Sequence, residues 1–395
     1  MSTEPGRLRS VATGGDHPDL IAADAARTHY AAAATPAATT RAYSEAWEAF
    51  HTWCGTVDLV SLPADPVTVE RYIALGAVRK DLAASTLAVW IAAIADRHHD
   101  AGHLDPTTGE KVREVLAGVR TTQTLAGREI DQAPAADHPV VTAMITTAHT
   151  TAVTWPEKVA ARRDIAMILT GFSMLGRRSE IAALTASDLS VTTGGGERLL
   201  SIRRRGSKAN REEITRVYRR AGSGPALYCL WCGLHRWLVV LDARDRAADR
   251  EVRRQKRHRH TTIDQAAINR AVSLAVQRVL ITDDTDPHTH RCAQAWPELA
   301  DPHTPLFRPL AKAGPPLDRA ISDRQIARII KTRGGAAGHP GLRGHSLRAG
   351  GATEAFARGA LLTDVMALGG WRSAASAMLY DRDGEQRSAR VELGI

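Results

Sequence analysis

Near the end of the chain, Gly369-Gly370-Trp371 is followed nine residues later by Tyr380. Upstream stand Gly344-His345-Ser346-Leu347-Arg348 and, further back, Gly176-Arg177-Arg178-Ser179-Glu180. The side-chain types suit covalent cleavage of a phosphodiester. Tyr380 offers a phenolic nucleophile, which needs help to lose its proton because its reference pKa is about 10. Arg177 and Arg348 each present a planar fork that matches two nonbridging phosphate oxygens. They would stabilise charge as it grows on those oxygens in a pentacoordinate transition state. His345 suits proton exchange or a hydrogen bond to phosphate. Trp371 has an indole N–H to donate and a ring to pack. Glu180, an acceptor only, would orient a catalytic side chain. Lys208, in the turn Gly206-Ser207-Lys208-Ala209-Asn210, suits a general acid for a departing oxygen.

Taken singly these signals are weak. Arg177-x-x-Glu180 is the spacing of ordinary helical ion pairs, and Lys208 also reads as an exposed turn lysine. Their weight lies in the order of the blocks. Arg178 competes with Arg177, but Arg177 stands three residues before Glu180.

The elements that must carry these groups fall into two regions. After an Ala-, Thr-, Pro- and Gly-rich stretch to residue 38, expected to be a flexible tail, four short amphipathic helices follow. Their apolar stripes are Tyr43, Trp47, Phe50 and Cys54; Val69, Tyr72 and Ile73; Leu87, Trp90, Ile91 and Ile94; and Val112, Val115, Leu116 and Val119. Ser85 is expected to cap the third. They predict an all-α domain over 39–120, with 121–139 as linker. In the second region, 140–395, a buried helix carries Val159, Ile165, Leu169 and Phe172. Strands are expected over Leu189–Thr193, Arg198–Arg204 and Arg211–Tyr218, so the domain reads as α+β with a small antiparallel sheet. Ser322 and Gln325 form a capping box ahead of Ile326, Ile329 and Ile330.

The 395 residues carry a net charge of +9 and are 44% hydrophobic. That suits a globular protein with a polyanionic partner, nucleic acid before membrane, although a basic composition alone fits many proteins. No apolar run is long enough to span a membrane and the N-terminus lacks a signal-peptide core, so the expected location is cytoplasmic. The basic run Arg244 to His260 reads as a solvated face. Four cysteines are too few for a disulfide scaffold. Cys229-Leu230-Trp231-Cys232 has metal-type spacing, with His235, His258, His260 and Cys292 later. No second Cys-x-x-Cys pairs with it, and two cysteines on a buried helix is the preferred reading. No acidic cluster suggests a catalytic metal, and no cofactor is expected.

Arg177, Glu180, Lys208, His345-x-x-Arg348, Gly-Gly-Trp371 and Tyr380, in this order, resemble the tyrosine recombinase (phage integrase) family. The likeness is greatest to its Cre-like members, through the third block and through Trp371, where many members have a second histidine. Leu175-Gly176-Arg177 departs from the family's usual Gly-Leu-Arg. The resemblance implies a catalytic set of Arg177, Lys208, His345, Arg348, Trp371 and Tyr380 with Glu180 in support. It implies an all-α core-binding domain and a mixed catalytic domain forming a C-shaped clamp on duplex DNA. It further implies a 3′-phosphotyrosine intermediate needing neither metal nor ATP. The implied partners are double-stranded DNA with paired inverted-repeat sites and three further copies in a synaptic homotetramer. In such a family the last residues can dock on a neighbouring protomer, with Val391 and Leu393 as anchors. Two other readings share these features: a DNA-binding regulator that keeps the fold, and a type IB topoisomerase-like relaxing enzyme.

Overall fold

The computed structural model describes residues 18–34, 37–128, 132–194, 197–205, 214–219, 224–258, 262–282 and 289–382. Lys208, Val391 and Leu393 lie outside them. The chain divides into two compact units, Met1–Asp131 and Gln132–Ile395. It is mainly α-helical with one small antiparallel sheet.

The first unit contains α1 (Pro18–Ala34), α2 (Ala37–Thr56), α3 (Pro66–Arg79), α4 (Ala84–Asp100) and α5 (Glu110–Leu125). α1 forms where a tail is expected; the segment is rich in alanine, the strongest helix former. Phe50, Cys54, Val69, Tyr72, Ile73, Leu87, Ile94 and Val112 make the core. The aromatic residues stack within it, Tyr72 on Trp90 with centroids 4.6 Å apart. Ser85 does not cap α4. The preceding turn is tied instead by Gln123, whose Oε1 accepts from Ala84 N at 3.1 Å and whose Nε2 donates to Leu82 O at 2.8 Å. That tertiary bridge holds residues 121–125 in α5, where a linker is expected.

The second unit opens with α6 (His138–Thr150), α7 (Trp155–Ser173) and the one-turn α8 (Arg178–Ala182). Next come β1 (Leu189–Gly194), β2 (Glu197–Arg204) and β3 (Ile214–Arg219), ordered β1-β2-β3 and antiparallel throughout. Ser190 pairs with Ser201, and Ser201 with Val217. α9 (Leu230–Arg257) and α10 (Gln265–Thr282) pack on α7, and the C-terminal half of α9 presents the basic run to solvent. α11 (Asp323–Ala336), whose capping box forms as expected, precedes α12 (Ser346–Ala357), α13 (Leu362–Gly369) and α14 (Ala374–Met378).

Polar pairs sit inside this core. Asp164 on α7 accepts from Arg163 and, at 2.8 Å, from Arg333 on α11. Arg308, 1% exposed, forks onto both oxygens of Asp245 at 2.9 and 3.0 Å. α12 approaches the preceding segments at glycine: a Cβ on Gly350 would lie 1.7 Å from Ala136 O, and one on Gly351 2.5 Å from Phe172 O.

Candidate active site on α8 and α12–α14

Arg177 caps α8 in an extended conformation, and Glu180, one turn on, reaches back to it. Glu180 Oε2 accepts from Arg177 N at 2.8 Å and Oε1 from Arg177 Nη1 at 2.7 Å. Arg178 turns away toward Asp323, with Nη2 3.9 Å from its carboxylate. The residue before this corner, Leu175, adopts φ 49°, the left-handed region that side chains with a Cβ rarely occupy. The departure from Gly-Leu-Arg therefore falls on a turn where glycine would be at ease, and Leu175 is buried there.

His345 caps α12 and Arg348 lies in its first turn. Arg348 is 1% exposed. Its Nη1 donates to Leu175 O at 2.5 Å and to Gly369 O at 2.8 Å. Its Cζ stacks 3.8 Å from the centre of the Trp371 ring. Its Nη2 is buried with no hydrogen-bond partner among the described residues. Gly370, at φ 67°, ends α13 in the left-handed conformation and turns the chain into Trp371. α14 then brings Tyr380 back: Tyr380 O accepts from Thr353 Oγ1 at 3.0 Å, and its ring lies 5.3 Å from that of Trp371. Tyr380 Oη is 3.1 Å from His345 Nε2.

Arg177, Glu180, His345, Arg348, Trp371 and Tyr380 thus meet in one place. A residue outside the sequence-based set joins them. Arg204, on β2, directs Nη1 to Glu180 Oε2 and to Gly369 O, each at 3.4 Å. It shares the buried face of β2 with Leu200 and Ile202, so strand alternation within Arg203-Arg204-Arg205 was the available signal. Burial and the neighbouring Arg177 depress the pKa of Arg348 to about 10. Burial, then Arg348, Arg177 and Arg178, push His345 down to about 4, so its imidazole is neutral at physiological pH. Three guanidinium groups against one carboxylate leave an excess of positive charge beside the exposed His345. That arrangement suits an anionic substrate.

No family model matches the chain. A curated relative, an integrase/recombinase xerD homolog of Selenomonas ruminantium, is 25% identical over 323 residues, covering 80% of this chain and 73% of the relative. This relative supports the tyrosine recombinase family for the chain. Among solved structures, XerH site-specific recombinase bound to palindromic difH substrate aligns with TM-score 0.46 at 12% identity, over 83% of this chain and 72% of XerH. The Tn1549 transposon integrase in complex with a circular intermediate DNA aligns with TM-score 0.39 at 11% identity, over 83% of this chain and 85% of the integrase. Among the described residues of the chain, no helix is long and apolar enough to cross a membrane.

Proposed function

We propose that this protein is a site-specific recombinase that cleaves and rejoins duplex DNA through a 3′-phosphotyrosine on Tyr380. The contact that carries the reading is His345 Nε2 at 3.1 Å from Tyr380 Oη, beside the buried Arg348. A neutral imidazole with its lone pair on Nε2 accepts the phenolic proton as Oη attacks phosphorus. Arg177 and Arg348, with the indole N–H of Trp371, hold the nonbridging oxygens as their charge grows. The bond from phosphorus to the 5′ oxygen breaks, and Lys208 supplies that oxygen's proton. The phosphotyrosyl bond keeps the energy of the broken one, so a 5′-hydroxyl reverses the step on the same or a partner strand without ATP. The two guanidinium groups supply the charge stabilisation for which other nucleases use metal ions.

In this reading 39–120 is the core-binding domain, 121–139 the linker and 140–395 the catalytic domain. The assembly is a homotetramer on paired inverted-repeat sites, in a Cre-like system acting in the bacterial cytoplasm. The test is incubation with nicked suicide substrates drawn from the chain's own genomic neighbourhood. A denaturation-resistant protein–DNA adduct mapping to Tyr380 is expected. An adduct formed equally well by Tyr380→Phe would overturn the reading.

A further inference from the structure

Three cysteines and one histidine come together away from the residues assigned to catalysis. Cys229 caps the N-terminus of α9 and Cys232 lies in its first turn, while His290 and Cys292 arrive some sixty residues later on the irregular segment after α10. Their ligand atoms all lie within 4.8 Å of one another. Cys232 Sγ is 3.4 Å from Cys292 Sγ and 3.4 Å from His290 Nδ1; Cys292 Sγ is 3.5 Å from Cys229 Sγ and 3.5 Å from His290 Nδ1. The sulfur separations are contacts, far longer than the roughly 2.05 Å of a disulfide. They are close to the separations of about 3.8 Å between sulfurs that bonds of about 2.3 Å set around a tetrahedral zinc ion.

We propose that Cys229, Cys232, His290 and Cys292 form a structural zinc site. All three thiols are buried, so the site is closed, with four protein ligands and no position for water, as structural rather than catalytic zinc requires. The outer contacts fit the assignment. His290 Nε2 lies 2.8 Å from Gly224 O; as donor there, it leaves the Nδ1 lone pair facing the thiols. The backbone N–H of Arg291 donates to Cys232 Sγ at 3.2 Å, which favours a thiolate there. Three thiols buried in mutual contact disfavour the charged form of any one of them. A divalent cation reverses that penalty and holds all three as thiolates.

The ion would tie the start of α9 to the segment that crosses β2. Arg198 of β2 donates from Nη1 to Cys292 O and Gln294 O, each at 2.9 Å, and lies over the Trp231 ring. Through Arg198 and Gly224 the same site reaches β2 and the segment that follows β3 in the chain.

The test uses the full chain, purified without chelator. Elemental analysis is expected to give about one zinc per chain. Exchange for cobalt(II) is expected to give thiolate-to-cobalt charge-transfer bands and the strong visible bands of tetrahedral geometry. His290→Ala is expected to alter that spectrum and Cys292→Ser to lower metal content. Should either variant fail to fold, the wild-type cobalt spectrum still decides. Absence of metal before and after incubation with zinc(II), with the three thiols reacting freely with a disulfide reagent, overturns the proposal. So does a disulfide between any two of them in freshly purified protein.

Discussion

Glu180 grips Arg177 at both ends, its two carboxylate oxygens taking the backbone amide at 2.8 Å and the guanidinium at 2.7 Å. Since Oε2 also faces Arg204, one carboxylate fixes two arginines from different elements. In the proposed mechanism Glu180 is thereby a positioning residue for the Arg177 fork.

Glu180→Gln tests this. An amide has one acceptor oxygen, so its NH2 must face either Arg177 Nη1 or the Arg177 amide and Arg204, donor against donor. Hydrogen bonds to charged groups contribute about 1.5–3 kcal/mol, so the rate of strand cleavage should fall roughly ten- to hundredfold. Affinity for duplex DNA, measured in parallel, should change little. An unchanged single-turnover rate would show that Arg177 is held by other means.

Arg348→Lys keeps the charge and loses the fork. Lysine cannot bond Leu175 O and Gly369 O while also directing a second donor into the site. Loss of one preorganised donor to a developing anion costs about 10²–10³ in rate. Single-turnover cleavage should fall by that factor, with part of the loss from a looser Trp371, whose ring the guanidinium stacks on. A Lys variant within threefold of the parent would mean that charge alone suffices.

Much of this site was legible in the sequence because its members sit at helix starts and turns whose residues mark themselves. Arg177, Glu180, His345 and Arg348 share two short segments, and nine residues after Trp371 bring Tyr380 back under α12. Arg204 escaped because three consecutive arginines hide which one faces inward; only the alternation with Leu200 and Ile202 separates it. His290 escaped because its partners Cys229 and Cys232 lie some sixty residues away, and no local periodicity reports such a meeting. The cap of α4 was misread because Gln123, about forty residues downstream, serves the role expected of Ser85. Helix α10 did carry a signal, Ile268, Val272, Val276 and Leu280 at four-residue spacing, masked by the basic stretch around it.

The charge around His345 gives a pH dependence of defined sign. Its pKa is about 4 in the free protein, against about 6.5 in an unfolded chain. Between these values the unfolded chain binds more protons than the folded one, so the contribution of His345 to stability rises with pH across that window and is lost as pH falls through it. A phosphodiester bound beside Arg348 offsets the positive field and raises the pKa. The complex then holds more protons than the free protein, and DNA affinity increases as pH falls toward 5. Calorimetry in buffers of different ionisation enthalpy should show proton uptake on DNA binding near pH 5.5, reduced in His345→Gln. Equal uptake by parent and variant would assign the proton elsewhere.

The backbone approach at Gly350 gives the last prediction. His345 and Arg348 are placed by α12, and α12 sits where it does because Gly350 lies against Ala136, whose N–H also donates to Ser346 O at 2.9 Å. A methyl at position 350 would stand 1.7 Å from the Ala136 carbonyl oxygen. The obstacle is backbone, so no rotamer change relieves it, and α12 must shift or the segment before α6 must peel away. Gly350→Ala should therefore cost about 3 kcal/mol of stability, read as a lower midpoint in urea with little change in slope. Whatever fraction remains folded should cleave DNA more slowly, since a displacement of about 1 Å in a catalytic group can cost about 10²-fold. A control at Gly335, where an added Cβ meets nothing within 4 Å, should leave cleavage unchanged. A Gly350→Ala protein with the parent's midpoint and rate would show that α12 does not depend on this contact.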